Sequence, residues 1–353
     1  MTPSRPLAHA ARALVVAALF VWLTPLASSA EPDARTGFVG VSPGHWLGEL
    51  SEPDLDRDLD LVASLGAGWI RLDVPWEAIE PSRGVFDWSG TDRVVRAARR
   101  HGLEVVGILA YTPPWARSPG TSHRAPPTDP ADFARFAGSA AARYAVDGVH
   151  AWEIWNEPND GAYWVPAPDP AAYGALFDAA AGAIRRADPA AVVVLGALAP
   201  AVDGDDELSP LTFLRGVYDA GHGDGAAAVS LHPYTFPASP WEAQPWNAFD
   251  QTLDLRALMD ERGHGWARIW LSEYGAPTGT GPRAVSEASQ AGLIDDGLRR
   301  AASWPWVERI FLYSHRDVPG GSPASWPDNF GLFRTDRSAK PAVDVVRRFV
   351  TSG

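Results

Sequence analysis

Eight times along this chain an extended apolar stretch is followed by a helical one, and no other feature limits its possible folds as tightly. The predicted strands are Gly37–Val41, Trp69–Asp73, Glu104–Ala110, His150–Asn156, Ala191–Gly196, Ala227–His232, Arg268–Glu273 and Glu308–Ser314. A helical period follows each. After Asp129-Pro130 the apolar residues fall at Phe133, Phe136, Ala137, Ala140 and Tyr144; after Asp169-Pro170 they fall at Tyr173, Leu176, Phe177, Ala180 and Ile184. Both series mark one apolar face of a helix. In both, Asp suits the N-cap and Pro the first helical position. Eight βα units predict an α/β fold, a (β/α)8 TIM barrel filling residues 31–353 as one domain. In such a barrel the working side chains gather at the carboxyl ends of the strands.

Residues 1–30 stand apart. Arg5 and Arg12 precede an apolar run from Ala13 to Leu23, and Ala27-Ser28-Ser29-Ala30 precede Glu31. This is the pattern of a secretory signal cut after Ala30, and the run is short for a membrane span. The remaining chain is expected to be secreted, extracellular, free of the membrane and monomeric. It has no cysteine, so its stability rests on its core rather than on disulfides. The formal net charge is −13, and the signal removes two arginines but no acid. An acidic chain of this kind argues against nucleic acid or an anionic membrane as partner.

The sequence offers no sign of a cofactor. The acidic run Asp203–Glu207 lacks the spacing of a calcium loop, and no glycine-rich phosphate loop follows a strand. Lys340, the only lysine, falls in the last predicted helix, a poor position for Schiff-base chemistry.

Two strand ends carry carboxylates in unusual company. The first reads Trp152-Glu153-Ile154-Trp155-Asn156-Glu157-Pro158-Asn159, where Pro158 stops the strand and biases Glu157 away from helical geometry. Strict alternation puts Glu153, Trp155 and Glu157 on one side and Asn156 on the other. The second reads Ile269-Trp270-Leu271-Ser272-Glu273-Tyr274-Gly275. Two carboxylates on separate strands are the minimum equipment for cleaving a glycosidic bond. Trp-Asn-Glu-Pro-Asn with a downstream Ser-Glu-Tyr-Gly resembles the clan A retaining glycoside hydrolases, within them the family 39 and family 5 group.

The resemblance implies roles. Glu157 matches the general acid/base and Glu273 the nucleophile. Asn156 matches a residue that hydrogen-bonds the sugar 2-hydroxyl. Arg71, alternating with Trp69 and Asp73, matches an arginine that supports the nucleophile; a structural pair with Asp73 or Glu153 is the other reading. Glu153 itself is expected in a structural ion pair, and Trp155 buried. His232 and Tyr234 match residues flanking the nucleophile. Trp115 in a proline-rich loop is a candidate sugar platform, and Trp46 either lines the cleft or caps the barrel. Many clan members place a tryptophan where this chain has Tyr313, Ser314 and His315, so Tyr313 and His315 become candidate substrate contacts. Trp326 is a candidate for the cleft rim.

The implied reaction is double displacement on a polysaccharide or oligosaccharide, without a cofactor, with the carboxyl groups roughly 5–5.5 Å apart. It needs Glu157 with a raised pKa and Glu273 with a low one. Five loop tryptophans, Trp115, Trp164, Trp241, Trp246 and Trp326, suggest several subsites and internal cutting. The alternatives are an exo-acting β-glycosidase of the same clan and a silent barrel that only binds glycans. A different barrel chemistry, an aldolase or a metal-dependent hydrolase, is opposed by the lysine position and the absence of a metal-spaced cluster.

Overall fold

The computed structural model describes Met1 and residues 35–352. The signal expected at residues 1–30 therefore falls, Met1 aside, outside the described residues.

Eight parallel strands form the sheet: β1 Val39–Ser42, β2 Trp69–Pro75, β3 Glu104–Ala110, β4 Ala151–Ile154, β5 Val192–Leu198, β6 Ala228–Leu231, β7 Arg268–Tyr274 and β8 Val307–Tyr313. Each pairs with the next, and β8 pairs back onto β1, closing the barrel. The helices between them are α1 Glu52–Ser64, a single turn α2 Trp76–Ile79, α3 Ser89–Arg100, α4 Pro130–Tyr144, α5 Pro170–Ala187, α6 Pro210–Asp219, α7 Ala248–Glu261, α8 Glu287–Ala302 and α9 Pro341–Thr351. The TIM barrel expected from the sequence is the fold observed.

The helices begin where local chemistry says they should. Asp129 and Asp169 accept backbone N–H bonds from Ala131 and Ala172, each followed by proline. Ser51, Ser209, Asn247 and Ser286 cap α1, α6, α7 and α8 in the same way. Each such cap satisfies a donor that the first helical turn leaves unpaired. The acidic run from Asp203 is tied into one of these starts: Asp203 accepts from Ser209 N and from the Thr212 hydroxyl.

Alternation along the strands separates two cores. Outward residues such as Trp152, Ile154, Leu195 and Ile269 meet the helices. Inward residues Val106, Ala151, Val194, Ala228, Trp270 and Phe311, with Trp69 beside them, plug the barrel interior. Gly40 admits that plug, because a Cβ there would stand 2.4 Å from the Phe311 ring. In the same layer the Arg309 guanidinium lies 4.0 Å from the Trp69 ring and 5.0 Å from the Trp270 ring. One end of the barrel is therefore closed by aromatic and cation–π packing, which leaves the carboxyl ends of the strands for chemistry.

Candidate active site

Arg71 of β2 organises the open end. It is almost fully buried. Its Nε donates to Glu153 at 2.6 Å, Nη1 to Glu273 at 2.6 Å and to Ser42 Oγ at 3.3 Å, and Nη2 to Asn156 Oδ1 at 2.9 Å. Support of Glu273 and a structural pair with Glu153 are thus realised by one side chain. Asp73, the other partner considered for Arg71, makes no hydrogen bond or ion pair among the described residues. Glu153 is fully buried and also accepts from Ser230 Oγ.

Both candidate carboxylates reach the cleft through a break in strand regularity. On β7, the step from Leu271 to Tyr274 spans one more residue than its partner step from Ile310 to Leu312. An extra residue of this kind is a β-bulge, which re-aims side chains. Tyr274 packs outward on Phe249, and its hydroxyl donates to the Leu293 carbonyl of α8. Glu273 turns the other way, to Arg71. Gly275 follows because a Cβ there would stand 2.0 Å from the Tyr313 carbonyl oxygen.

On β4 the regular strand ends at Ile154, short of the expected Asn156. Trp155 and Glu157 have φ of 70° and 50°, in the left-handed region that costs a non-glycine residue on the order of 1–3 kcal/mol. This corrects the strict alternation read from the sequence. Trp155 turns out into a buried aromatic cluster with Tyr111, Phe133 and Trp164, while Asn156 and Glu157 both face the site. The Glu157 N–H donates to the Ala197 carbonyl at 2.8 Å, and Ala197 is itself left-handed, at a register shift in β5.

His232, at the end of β6, stands between the two carboxylates. Its Nδ1 lies 2.8 Å from Glu157 Oε1 and 3.6 Å from Glu273 Oε2. Those two oxygens are no farther apart than these distances laid end to end. For that oxygen pair the ceiling sits at the lower edge of the roughly 6.5–9.5 Å between carboxyl groups in inverting sites. Tyr234 completes the grip on Glu273, its hydroxyl donating at 2.8 Å.

Burial pushes the Glu273 carboxyl up, but the His232 and Arg71 charges and the Tyr234 hydroxyl outweigh it and hold it below its ordinary value. Burial likewise opposes the charged form of His232, and the Glu273 and Glu157 carboxylates overcome it, raising the imidazole pKa. Tyr234 is raised well above its ordinary value by burial and by the Glu273 charge, so it stays a donor.

Aromatic residues wall the cleft. Tyr313 packs edge-on to Tyr234 and Phe330, and a Cβ on Gly44 would stand 3.5 Å from its hydroxyl. Phe236 and Phe330 carry this wall out to Trp326, which is 38% exposed and lies under the Arg283 guanidinium. On the other side, Tyr163 lies in the fields of Glu157 and Glu273, and Tyr111 in those of Asp73 and Glu157. The sequence reading passed over Ser42, Tyr111 and Tyr163. Their signal was present: each sits at a strand end or in the loop after the Asn-Glu-Pro turn.

Several expected contacts lie elsewhere. His315 is fully buried behind the cleft, stacked on Trp46 with ring centroids 4.9 Å apart and 3.3 Å from Asp58 of α1. Its strand ends at Tyr313, and the next residues fold back into an Asp58–Arg316–Arg337 ion cluster. Trp46 is correspondingly buried rather than lining the cleft. Trp115 is not a free platform: its Nε1 donates to the Glu80 carbonyl, its edge meets Trp76, and Arg83 covers its face at 4.7 Å. Trp164 is buried between Trp155 and Tyr173. Lys340 precedes α9 as its N-cap and is buried against Asp317 and Thr278.

A family model described as cellulase, glycosyl hydrolase family 5, matches residues 31–306. Over 65 residues the chain is 31% identical to β-galactosidase Bga of Halorubrum lacusprofundi, which is 18% of this chain and 9% of that protein. Its fold is similar to that of a family 39 glycoside hydrolase from the gut symbiont Bacteroides cellulosilyticus WH2, with TM-score 0.73 and 21% identity over 91% of this chain and 65% of the other. It is also similar to that of an exo-β-1,4-mannosidase from Opitutaceae bacterium strain TAV5, with TM-score 0.64 and 18% identity over 90% of this chain and 61% of that one. The chain thus spans less than two thirds of each of these three proteins, and the two structures speak to its fold alone.

Proposed function

The chain belongs to the cellulase family, glycosyl hydrolase family 5, and on that premise we propose that it hydrolyses β-glycosidic bonds of an oligosaccharide or polysaccharide with retention of configuration. Glu273 attacks the anomeric carbon and forms a C–O bond to it. The bond to the leaving oxygen breaks, and Glu157 gives that oxygen its proton. Water then attacks the same carbon, gives a proton to Glu157, and releases Glu273 as carboxylate. Asn156, held by Arg71, presents its amide to the sugar 2-hydroxyl. The single observation that carries this reading is His232 reaching both carboxylates, so that one oxygen of each lies against the same imidazole.

The anomer formed with azide tests the roles. In Glu157→Ala an activated aryl glycoside still forms the glycosyl-enzyme, and azide releases it as the β-glycosyl azide. In Glu273→Ala azide occupies the vacated space and gives the α-product. The same anomer from both variants would overturn the assignment.

Trp241, Trp246 and Trp326 remain exposed at the loops, and they support the reading of a cleft that holds several sugars and cuts internally. The burial of Trp164 and the packing of Trp115 reduce the number of platforms and favour the second reading, release of single terminal sugars. The exo-β-1,4-mannosidase among the similar folds lends weight to it. Products of the first minutes of digestion separate the two: monosaccharide alone excludes internal cutting. Export to the extracellular space belongs to the same proposal, supported by the pattern of residues 1–30; N-terminal sequencing of the protein from culture medium tests it, with Glu31 expected first.

A further inference from the structure

The loop from β6 to α7 carries more than the cleft chemistry asks of it. It begins in the cleft wall, at Tyr234 and Phe236. It then swings away over α8, where the Ser239 hydroxyl donates to Asp296 at 2.8 Å. There it reads Pro240-Trp241-Glu242-Ala243-Gln244-Pro245-Trp246, with the Pro-Trp pair repeated. Both indoles stand in solvent, Trp241 53% and Trp246 47% exposed.

This segment is braced. Asn247, fully buried at the N-cap of α7, places its Nδ2 within 3.3 Å of the Ser239, Pro240 and Glu242 carbonyls. One side chain thus ties the residue after Trp246 to the backbone on both sides of Trp241. The two prolines remove further backbone freedom. Beneath Trp241 the Arg300 guanidinium lies 5.4 Å from the ring centroid and donates to Asp250. The same guanidinium lies 5.3 Å from Trp304, which stacks on Trp306 with centroids 5.1 Å apart. A cation on one face steadies the indole. With more than half of the side chain exposed, the opposite face is open to solvent.

Shielding of Arg300 would account for Trp241 alone. It does not account for Trp246, on which no ring or guanidinium packs among the described residues. Between the two indoles Glu242 and Gln244 are exposed, and their side chains make no hydrogen bond among the described residues. A carboxylate in that position opposes burial against a protein partner, since the cores of such interfaces are depleted of charge. It suits a sugar. The C–H face of a sugar ring packs on an indole, while its hydroxyls donate to a carboxylate and both donate to and accept from an amide. The formal net charge of −13, with Glu242 itself in place, disfavours an anionic polymer.

On the carbohydrate reading given above, we propose that the loop Pro240–Trp246 is a polysaccharide-holding surface beside the cleft, with Trp241 and Trp246 packing on neutral sugar units and Glu242 and Gln244 binding their hydroxyls. A chain held there stays close to the barrel mouth, so its next meeting with the cleft is no longer a fresh collision. The gain belongs to chains long enough to reach both places and is lost for short ones.

The test uses the whole protein, with dispersed cellulose, β-mannan and xylan as probes, and reads the protein left in solution after pelleting. The native protein should adsorb to at least one of them. Trp241→Ala combined with Trp246→Ala should weaken that adsorption roughly 10–100-fold. Activity on the same polysaccharide should fall relative to activity on a para-nitrophenyl glycoside. Trp241→Tyr combined with Trp246→Tyr should keep most of the adsorption, which separates loss of the platforms from loss of the fold. Adsorption of the native protein to none of the three, or equal adsorption by the alanine variant, overturns the proposal. So does an alanine variant that loses as much on the para-nitrophenyl glycoside as on the polymer, since the loop would then act on the cleft itself. A native dimer that the alanine variant dissolves would assign the indoles to a contact between copies instead. Turnover is read separately. A protein that adsorbs through this loop and cleaves nothing ends the hydrolase reading and leaves this one standing; one that cleaves without adsorbing does the reverse.

Discussion

The two carboxylates of the cleft differ more in their surroundings than in their exposure. Glu273 and Glu157 are exposed to 16% and 13% of their side chains. Glu273 is gripped by Arg71 at 2.6 Å, Tyr234 at 2.8 Å and Ser42 at 3.5 Å, with the His232 ring beyond. Among the described residues Glu157 has one side-chain partner, His232. A group that must stay charged and in line benefits from several fixed donors. A group that must hold, give and regain a proton needs few. The asymmetry fits the proposed division of labour, and it can be attacked from either side.

The largest effect belongs to Glu273→Ala. Loss of the attacking group should cost more than about 10⁴-fold in kcat, beyond the usual range for loss of an acid/base, on good and poor leaving groups alike. Near-normal turnover in steady-state assays would break the comparison at once. Glu157→Ala should lose roughly 10²–10⁴-fold on poor leaving groups and far less on activated aryl glycosides. A loss independent of leaving group would mean that Glu157 is not the proton donor.

Arg71→Met reads the difference as stability. It leaves the fully buried Glu153 without its cation, and breaking a buried pair from one side costs about 3–5 kcal/mol. Glu157→Gln keeps a hydrogen-bonding partner for His232 and leaves Glu273 as its counter-charge, so it should unfold in denaturant closer to the native protein than Arg71→Met does. Equal midpoints for these two variants would contradict the hub role of Arg71.

Tyr234→Phe should give the smallest change and the sharpest one. Removing a donor to the carboxylate raises the Glu273 pKa, so the acid limb of kcat/KM moves to higher pH. The sign follows from linkage. A carboxyl whose folded pKa is depressed contributes stability that is present above its unfolded value and is lost as pH falls through the folded one. The native protein should therefore keep both activity and fold further into acid than the variant does. A limb that stays in place or moves to lower pH rules out Tyr234 as a donor that matters.

Residues whose neighbours in sequence already constrain them were read most accurately. Asp129-Pro130 and Asp169-Pro170 start helices because cap and first turn are local. Glu157, Glu273, Arg71, Asn156, His232 and Tyr234 lie at strand ends, where closure of the barrel brings them together whatever the loops do. His315 and Trp115 were misplaced because a histidine or tryptophan in a loop suits a wet cleft and a dry outer layer equally well. Only the positions of Asp58, Arg83 and Trp76, far away in sequence, decide between them. Asp73 was weighed as a partner for Arg71; the competition of four acceptors around one guanidinium left it out.

By itself the sequence determined the eightfold alternation, the helix starts and the two strand ends that carry carboxylates, since these depend on periods and caps only a few residues long. The tertiary structure decided which way those carboxylates face. An extra residue in β7 relative to β8 and the left-handed turns at Trp155 and Glu157 are set by pairing with neighbouring strands and by the burial of Tyr274 and Trp155 behind the barrel. No local period encodes them, because the driving force is the packing of large aromatic rings against other elements, Trp155 on Tyr111 and Phe133 and Tyr274 on Phe249, beyond the reach of a strand's own alternation.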